Sequence, residues 1–198
     1  MDEIFSFFKT LDVSAVVLAC NTATAAAIAQ LREKYPRLIV VGIEPALKVA
    51  ADRYPGCKVG IMATPVTLRE EKLSQQLARF PRMQVHLIPA PGLVELVESG
   101  EANSAAAEEL LGRILSPYVG KLDALVLGCT HYPFAAATIR RVLGDGVTLL
   151  DGGDGTARET KRRLAQAGLL NETGTGELLL TTSADAATFE ALANTLLG

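Results

Sequence analysis

The chain has 198 residues, 49% hydrophobic and 21% charged, and its 19 Lys and Arg against 22 Asp and Glu give a formal net charge of −3. This composition excludes a disordered chain, which needs low hydrophobicity and high net charge. It also excludes a broad nucleic-acid binder, because no surplus of Lys and Arg is available to neutralise phosphates.

At the N-terminus, Ile4, Phe5, Phe8 and Leu11 recur at helical spacing and predict an amphipathic helix over residues 1–10. Asp2 and Glu3 stand where a secretory signal would be basic. Residues 13–31 carry no charge over about the length of a bilayer span. Asn21, Thr22 and Thr24 interrupt that stretch, and its β-branched first half gives way to alanines. A strand followed by a helix is expected there, and no membrane contact.

Further along, short apolar runs alternate with helical segments. Strands are expected at residues 15–19, 38–43, 58–63, 84–88, 124–128, 147–150 and 177–182. Most are continuously apolar, the pattern of parallel strands covered on both faces. Helices are expected at residues 23–34, 66–79, 104–118, 134–143, 156–166 and 186–197, with Pro36, Gly144 and Gly168 as stop signals. The alternation predicts an α/β fold. Glu44-Pro45 and Gly152-Gly153-Asp154-Gly155 read as crossovers between two lobes, one of residues 1–44 with 153–198 and one of residues 45–152. The glycine cluster lacks the Lys-Ser or Lys-Thr of a phosphate loop, so a flexible turn is expected. Asn171-Glu172-Thr173 matches a glycosylation acceptor by accident, given no secretory route. An opening helix without a strand before it leaves a βαβ unit short of its partner.

Three cysteines cannot all pair, and none lies in a C-x-x-C, so neither a disulfide framework nor a zinc ribbon is expected, and a reducing cytosol is the simplest compartment. The informative feature is an internal echo. Leu11-Asp12-Val13-Ser14-Ala15-Val16-Val17-Leu18-Ala19-Cys20-Asn21-Thr22 resembles Leu122-Asp123-Ala124-Leu125-Val126-Leu127-Gly128-Cys129-Thr130-His131. In each, an apolar strand ends on a small residue, then a cysteine, then polar residues, then a helix. The carboxyl ends of parallel strands are where α/β folds build ligand sites. A thiol at a helix mouth is expected to shift from the free value of about 8.5 towards neutrality. A single cysteine ending an apolar strand is ordinarily a small core residue, but two in matching polar settings favour function. Cys57, in a turn entering a strand, has no such escort and is given no function.

Two thiols far apart in sequence do not suit disulfide exchange. Cys20, Cys129 and His131 fall short of a zinc set, and His86 lies within a strand and reads as structural. Acid–base chemistry on opposite sides of one substrate atom remains: a thiolate removes a proton from one face and a thiol returns one to the other.

Ala19-Cys20-Asn21-Thr22-Ala23-Thr24 and Leu127-Gly128-Cys129-Thr130-His131-Tyr132-Pro133 resemble the two signatures of the cofactor-independent glutamate racemases. The likeness extends through Gly42-Ile43-Glu44-Pro45-Ala46, Gly60-Ile61-Met62-Ala63-Thr64 and Pro91-Gly92-Leu93-Val94-Glu95-Leu96-Val97-Glu98, and on to Thr181-Thr182 and residues 189–198. The resemblance implies two similar three-layer α/β lobes with mainly parallel sheets and the active site in the cleft between them. It implies a cytoplasmic enzyme supplying D-glutamate for peptidoglycan, hence for cell-wall biogenesis and cell shape, with glutamate as its small-molecule partner, no cofactor and no metal. A homodimer is compatible with it. Cys20 and Cys129 would be the paired acid and base. Asn21, Thr22, Thr130 and His131 would hold the carboxylates and ammonium, with His131 also assisting the nearby thiol. Glu98 would orient that histidine, though a solvated helix residue is an equal reading. Thr64 and Thr67 would be secondary carboxylate contacts, or equally a helix cap and its first turn. Family members begin with a strand ending in Asp-Ser and a Gly-rich turn, a second strand and a Tyr-Gly loop. These have no counterpart here, so the resemblance implies a first lobe incomplete at its N-terminus. Racemisation of aspartate or a hydantoin, and an impaired remnant that only binds a dicarboxylate, are the alternatives. No lysine motif for pyridoxal phosphate stands out, and two-thiol chemistry needs none.

Overall fold

A computed structural model describes residues 2–43, 46–53, 56–171 and 173–197. The crossover expected at Glu44-Pro45 and parts of the Tyr54-Pro55-Gly56 turn and of Asn171-Glu172-Thr173 lie outside them.

The expected helix at the start forms as α1 (Asp2–Thr10). It leads into β1 (Ala15–Leu18), α2 (Asn21–Lys34) and β2 (Ile39–Gly42). β1 and β2 pair in parallel, Ala15 opposite Ile39 and Leu18 opposite Gly42, as a two-stranded sheet. Its core is Phe5 from α1, Val16 and Leu18 from β1, Leu31 from α2 and Val40 from β2. Phe5 also stacks on Tyr35 with ring centroids 4.9 Å apart. An amphipathic face with two phenylalanines thus closes one side of a very small sheet.

The chain continues through α3 (Leu47–Arg53), β3 (Lys58–Ala63), α4 (Pro65–Leu68), α5 (Glu71–Leu77), β4 (Gln84–Pro89), α6 (Leu93–Glu98) and α7 (Ala105–Leu115). A 3₁₀ turn (Ser116–Tyr118) precedes β5 (Ala124–Leu127), and a second (Tyr132–Ala135) precedes α8 (Ala136–Leu143). β6 (Thr148–Leu150), α9 (Gly153–Gln166) and α10 (Ala186–Leu197) complete it. β3 to β6 form a second, all-parallel sheet in the order β4-β3-β5-β6. Alternate residues of β5 explain its continuously apolar sequence. Leu125 and Leu127 enter a core with Leu111, Leu115 and Ile139 of α7 and α8. Ala124 and Val126 enter another with Leu47 and Ala50 of α3. Both faces are covered, so neither can be polar. α7 follows from its sequence in the same way: the Ser104 hydroxyl accepts from the Ala107 amide as an N-cap, and Ala107, Leu111 and Leu115 recur at one-turn spacing on the buried side.

Three expectations are corrected. The helix predicted over 66–79 is two short helices, because Pro65 and the Thr64 cap start α4 while α5 starts afresh after Glu70. Gly152-Gly153-Asp154-Gly155 is no flexible turn but the opening of α9, with Gly152 as its N-cap and Asp154 in the first turn. That acidic residue suits the positive end of the helix dipole. Residues 177–182 form no strand among the described residues, and Leu178 and Leu179 are 74% and 75% exposed. Apolar, strand-favouring sequence becomes a strand only against a hydrogen-bonding edge, and this run meets none. No helix among the described residues is long and apolar enough to cross a membrane.

Candidate active site

The candidate residues collect at the carboxyl ends of the parallel strands of both sheets. Cys20 is two residues beyond β1 and is the N-cap of α2, its side chain exposed and without a capping hydrogen bond. The next residue, Asn21, donates through Nδ2 to the Gly128 carbonyl at 3.0 Å. Gly128 in turn precedes Cys129. The two cysteine motifs, remote in sequence and on different sheets, are therefore stitched together by one hydrogen bond.

Gly128 could not be another residue without displacing its neighbours. A Cβ there would stand 2.9 Å from the Ala63 Cβ and 3.1 Å from the Met62 carbonyl oxygen. Its amide also continues the β3–β5 ladder, donating to that same oxygen at 2.7 Å. The close approach carries Cys129 out of the sheet into a turn closed by the Tyr132 amide donating to the Cys129 carbonyl at 3.1 Å.

In that turn the Cys129 Sγ lies 3.7 Å from His131 Nδ1, and His131 Nε2 lies 3.0 Å from the Glu98 Oε1 at the end of α6. With the carboxylate accepting from Nε2–H, the bare Nδ1 faces the thiol, a thiol–imidazole–carboxylate chain. Glu98 is the final residue of its helix and 59% exposed, and its side chain nonetheless meets the histidine. The expected lowering of the thiol is reversed at Cys129. Burial pushes it up, the negative charges that Cys20 and Glu98 can carry push the same way, and hydrogen bonds from the His131 and Thr130 backbone oppose them only in part. The physical reason is local: the thiol is partly shut away from water, and the backbone hydrogen bonds of its turn do not make up for that desolvation.

Thr22 reaches across from α2 to the second sheet. Its hydroxyl is 3.0 Å from that of Thr67, which is 3.0 Å from that of Thr64. Thr64 also caps α4 by accepting from the Thr67 amide at 3.3 Å. The cap geometry and the contact with Thr22 coexist, so these threonines join the helix after β1 to the segment after β3. Thr130 sits with Cys129 on the wall of a cavity of about 680 Å³ that is also lined by Val17 of β1, Ala19 just beyond it, and Thr156 and Lys161 of α9. A second cavity, of about 240 Å³, is lined by Asn21, Thr67, Glu70 and Gly128. Cys57 is buried and far from this cluster in the fold, below the amino end of β3, and His86 lies on β4 with its ring 5.5 Å from that of Tyr118.

Three residues given no role in the sequence belong to this architecture. Thr24 is buried, donates to the Leu18 carbonyl at 3.0 Å and accepts from the Ile43 amide at 3.2 Å, so it ties together the ends of β1 and β2. Asp151, just beyond β6, lines the larger cavity and accepts from the Gly153 amide at 2.7 Å. Tyr132 is wholly buried, with its hydroxyl donating to the Ala90 carbonyl at 3.1 Å. Thr24 and Tyr132 fall inside the two cysteine motifs, and Asp151 sits at a strand end, which were the available signals.

Comparison with known proteins gives a consistent picture. Residues 3–160 match the family described as Asp/Glu/hydantoin racemase. The curated glutamate racemase of Pseudomonas syringae is 43% identical over 169 residues, which are 84% of this chain and 62% of that protein, so the chain spans less than two thirds of that relative's length. The crystal structure of the glutamate racemase isoform RacE1 from Bacillus anthracis superposes with a TM-score of 0.85 at 30% identity, covering 98% of this chain and 74% of that one. That of the Francisella tularensis glutamate racemase, in complex with D-glutamate, superposes with a TM-score of 0.82 at 26% identity, covering 97% and 73%. The fold, the paired cysteine motifs and these likenesses agree: the chain belongs to the Asp/Glu/hydantoin racemase family.

Proposed function

We propose that this chain interconverts L- and D-glutamate by two-thiol acid–base chemistry, with Cys20 and Cys129 acting on opposite faces of the substrate Cα. The observation that carries this reading is the hydrogen bond from Asn21 to Gly128, which brings the two cysteine motifs to one place. In the forward step one thiolate takes the Cα proton, and the electron pair of the C–H bond is left on Cα, delocalised into the adjacent carboxyl group. The thiol on the far face then gives its proton to Cα, which completes the inversion. For Cys129 to serve as the base it must lose its own proton despite burial. His131 Nδ1 can accept it, and the Glu98 carboxylate balances the imidazolium so formed.

Asn21, Thr22, Thr130 and His131 would hold the substrate's carboxylates and ammonium, with Thr64 and Thr67 behind Thr22. The D-glutamate bound to the Francisella tularensis relative supports a small dicarboxylic amino acid as the substrate. The cleft would lie between a lobe of residues 1–44 with 153–198 and a lobe of residues 45–152. D-Glutamate made here would feed peptidoglycan synthesis in the cytoplasm.

The test is solvent exchange. In heavy water with L-glutamate, the Cα–H resonance should disappear as deuterium enters and D-glutamate accumulates. No exchange above that of the Cys20→Ser, Cys129→Ser double variant overturns the proposal. Aspartate and a hydantoin in the same assay decide substrate choice, and faster exchange of either than of glutamate overturns the assignment of glutamate.

A further inference from the structure

We infer that Tyr132 is a positioning residue for the Cys129–His131–Glu98 chain, its buried hydroxyl setting the separation of the cysteine turn from the helix that carries Glu98. The inference rests on the racemase reading only for its kinetic consequence; its structural content stands on geometry.

The segment from Ala90 to Glu98 is held to the turn at residues 129–132 at both of its ends. At the near end the Tyr132 hydroxyl donates to the Ala90 carbonyl at 3.1 Å. At the far end Glu98 meets His131 at 3.0 Å. Between them Gly92, at φ +86°, turns the chain into α6, a helix about 9 Å long at 1.5 Å per residue. His131 and Tyr132 are consecutive, so whatever holds one sets the place of the other.

The two ties are unequal. Glu98 is 59% and His131 34% exposed, and a pair so open to water gains little from its own attraction. Tyr132 and Ala90 are 0% and 1% exposed, where water cannot replace a lost partner. The buried bond is thus the anchor, and the exposed pair is what it places. Ala90 is itself fixed, its amide donating to the Ala63 carbonyl at 3.1 Å, one residue before Thr64. The anchor therefore refers the cysteine turn to the same strand end that bears the Thr64–Thr67–Thr22 contact. A packing role asks only for the ring, which phenylalanine would supply in the same volume. The two roles part at the hydroxyl.

The experiment compares Tyr132→Phe with the unaltered chain by histidine-ring NMR. The chain contains two histidines, and His86, on the outer strand β4, is the internal control. Loss or broadening of the His131 Nε2–H signal in Tyr132→Phe, with the His86 signals unmoved, is the expected result, and Glu98→Gln should perturb the same His131 signals. His131 signals that superpose on those of the unaltered chain overturn the inference. In the unaltered chain, urea below the global transition should release the Tyr132 ring and the His131 signal together; release at separate concentrations overturns it without any variant. In glutamate exchange, kcat should fall about tenfold with KM within about twofold, the mark of misplaced acid–base groups rather than lost binding. Absence of exchange in the unaltered chain would sink the racemase reading and leave the NMR comparison decisive for Tyr132.

Discussion

The two cysteine motifs share a sequence pattern and occupy different physical settings. Around Cys20 the sheet has two strands, the thiol is exposed, and its neighbour Asn21 spends its amide on the other motif. Around Cys129 the sheet has four strands, the thiol is half-buried, and a histidine and a carboxylate are lined up behind it. The residues before each strand diverge too. Asp12 takes a left-handed conformation at φ 48°, whereas Asp123 accepts from the Lys58 amide at 2.7 Å and locks β5 beside β3. Ala19 carries a methyl group where Gly128 has no room for one. Repetition of a motif therefore repeats the placement of a thiol at a strand end, while the surrounding packing decides how deeply that thiol is buried and what assists it.

The comparison can be broken most severely at the thiols. Cys20→Ser and Cys129→Ser, made singly, should each reduce glutamate racemisation about a thousandfold, within the range of general acid–base contributions. A single variant that racemises at the unaltered rate would show that one motif is only an echo. The next largest effect is on stability. Gly128→Ala should cost about 2 kcal/mol in urea denaturation, since its methyl overlaps Ala63 and the Met62 carbonyl. Ala19→Gly should cost less than about 1 kcal/mol, chiefly through backbone entropy, and equal costs would erase the contrast.

Glu98→Gln keeps an oxygen near His131 but cannot balance an imidazolium, so kcat should fall about tenfold with little change in KM. The smallest effect is a pH slope. Burial raises the Cys57 and Cys129 thiols above their unfolded values, so the folded chain keeps those protons to higher pH. Their contribution to stability is whole below the ordinary thiol range of about 8.5 and is lost as pH rises above it through the raised folded values. Thermal melts of Cys57→Ser, Cys129→Ser chains should therefore decline less steeply on the alkaline side than those of the unaltered protein, and parallel curves would remove burial as the cause.

Much of the fold was legible because its signals are local. Six of the apolar runs became strands, and the two central ones, β3 and β5, are buried on both faces as their continuously apolar sequences require, while the edge strand β4 stays largely exposed. The seventh, residues 177–182, has equally good composition and remains unpaired, because pairing depends on an edge that composition does not reveal. The glycine cluster at residues 152–155 looked like a turn, and packing of α9 against both strands of the first sheet drew it into a helix. At the site, the cysteines, Asn21, Thr22, Thr130 and His131 are visible as polar residues at strand ends. Glu98 was visible only through family likeness, because a glutamate near the end of an amphipathic helix is ordinarily solvated.

By itself the sequence determined the α/β alternation, the continuously buried strands and two thiols at equivalent strand ends, since each follows from side-chain size, polarity and spacing along a short stretch. Tertiary structure alone decided that Asn21 bonds to Gly128, that His131 reaches Glu98, and that Cys129 ionises less readily than a helix mouth would suggest. Those outcomes depend on distances and on solvent exclusion between segments remote in the chain, which no local pattern encodes.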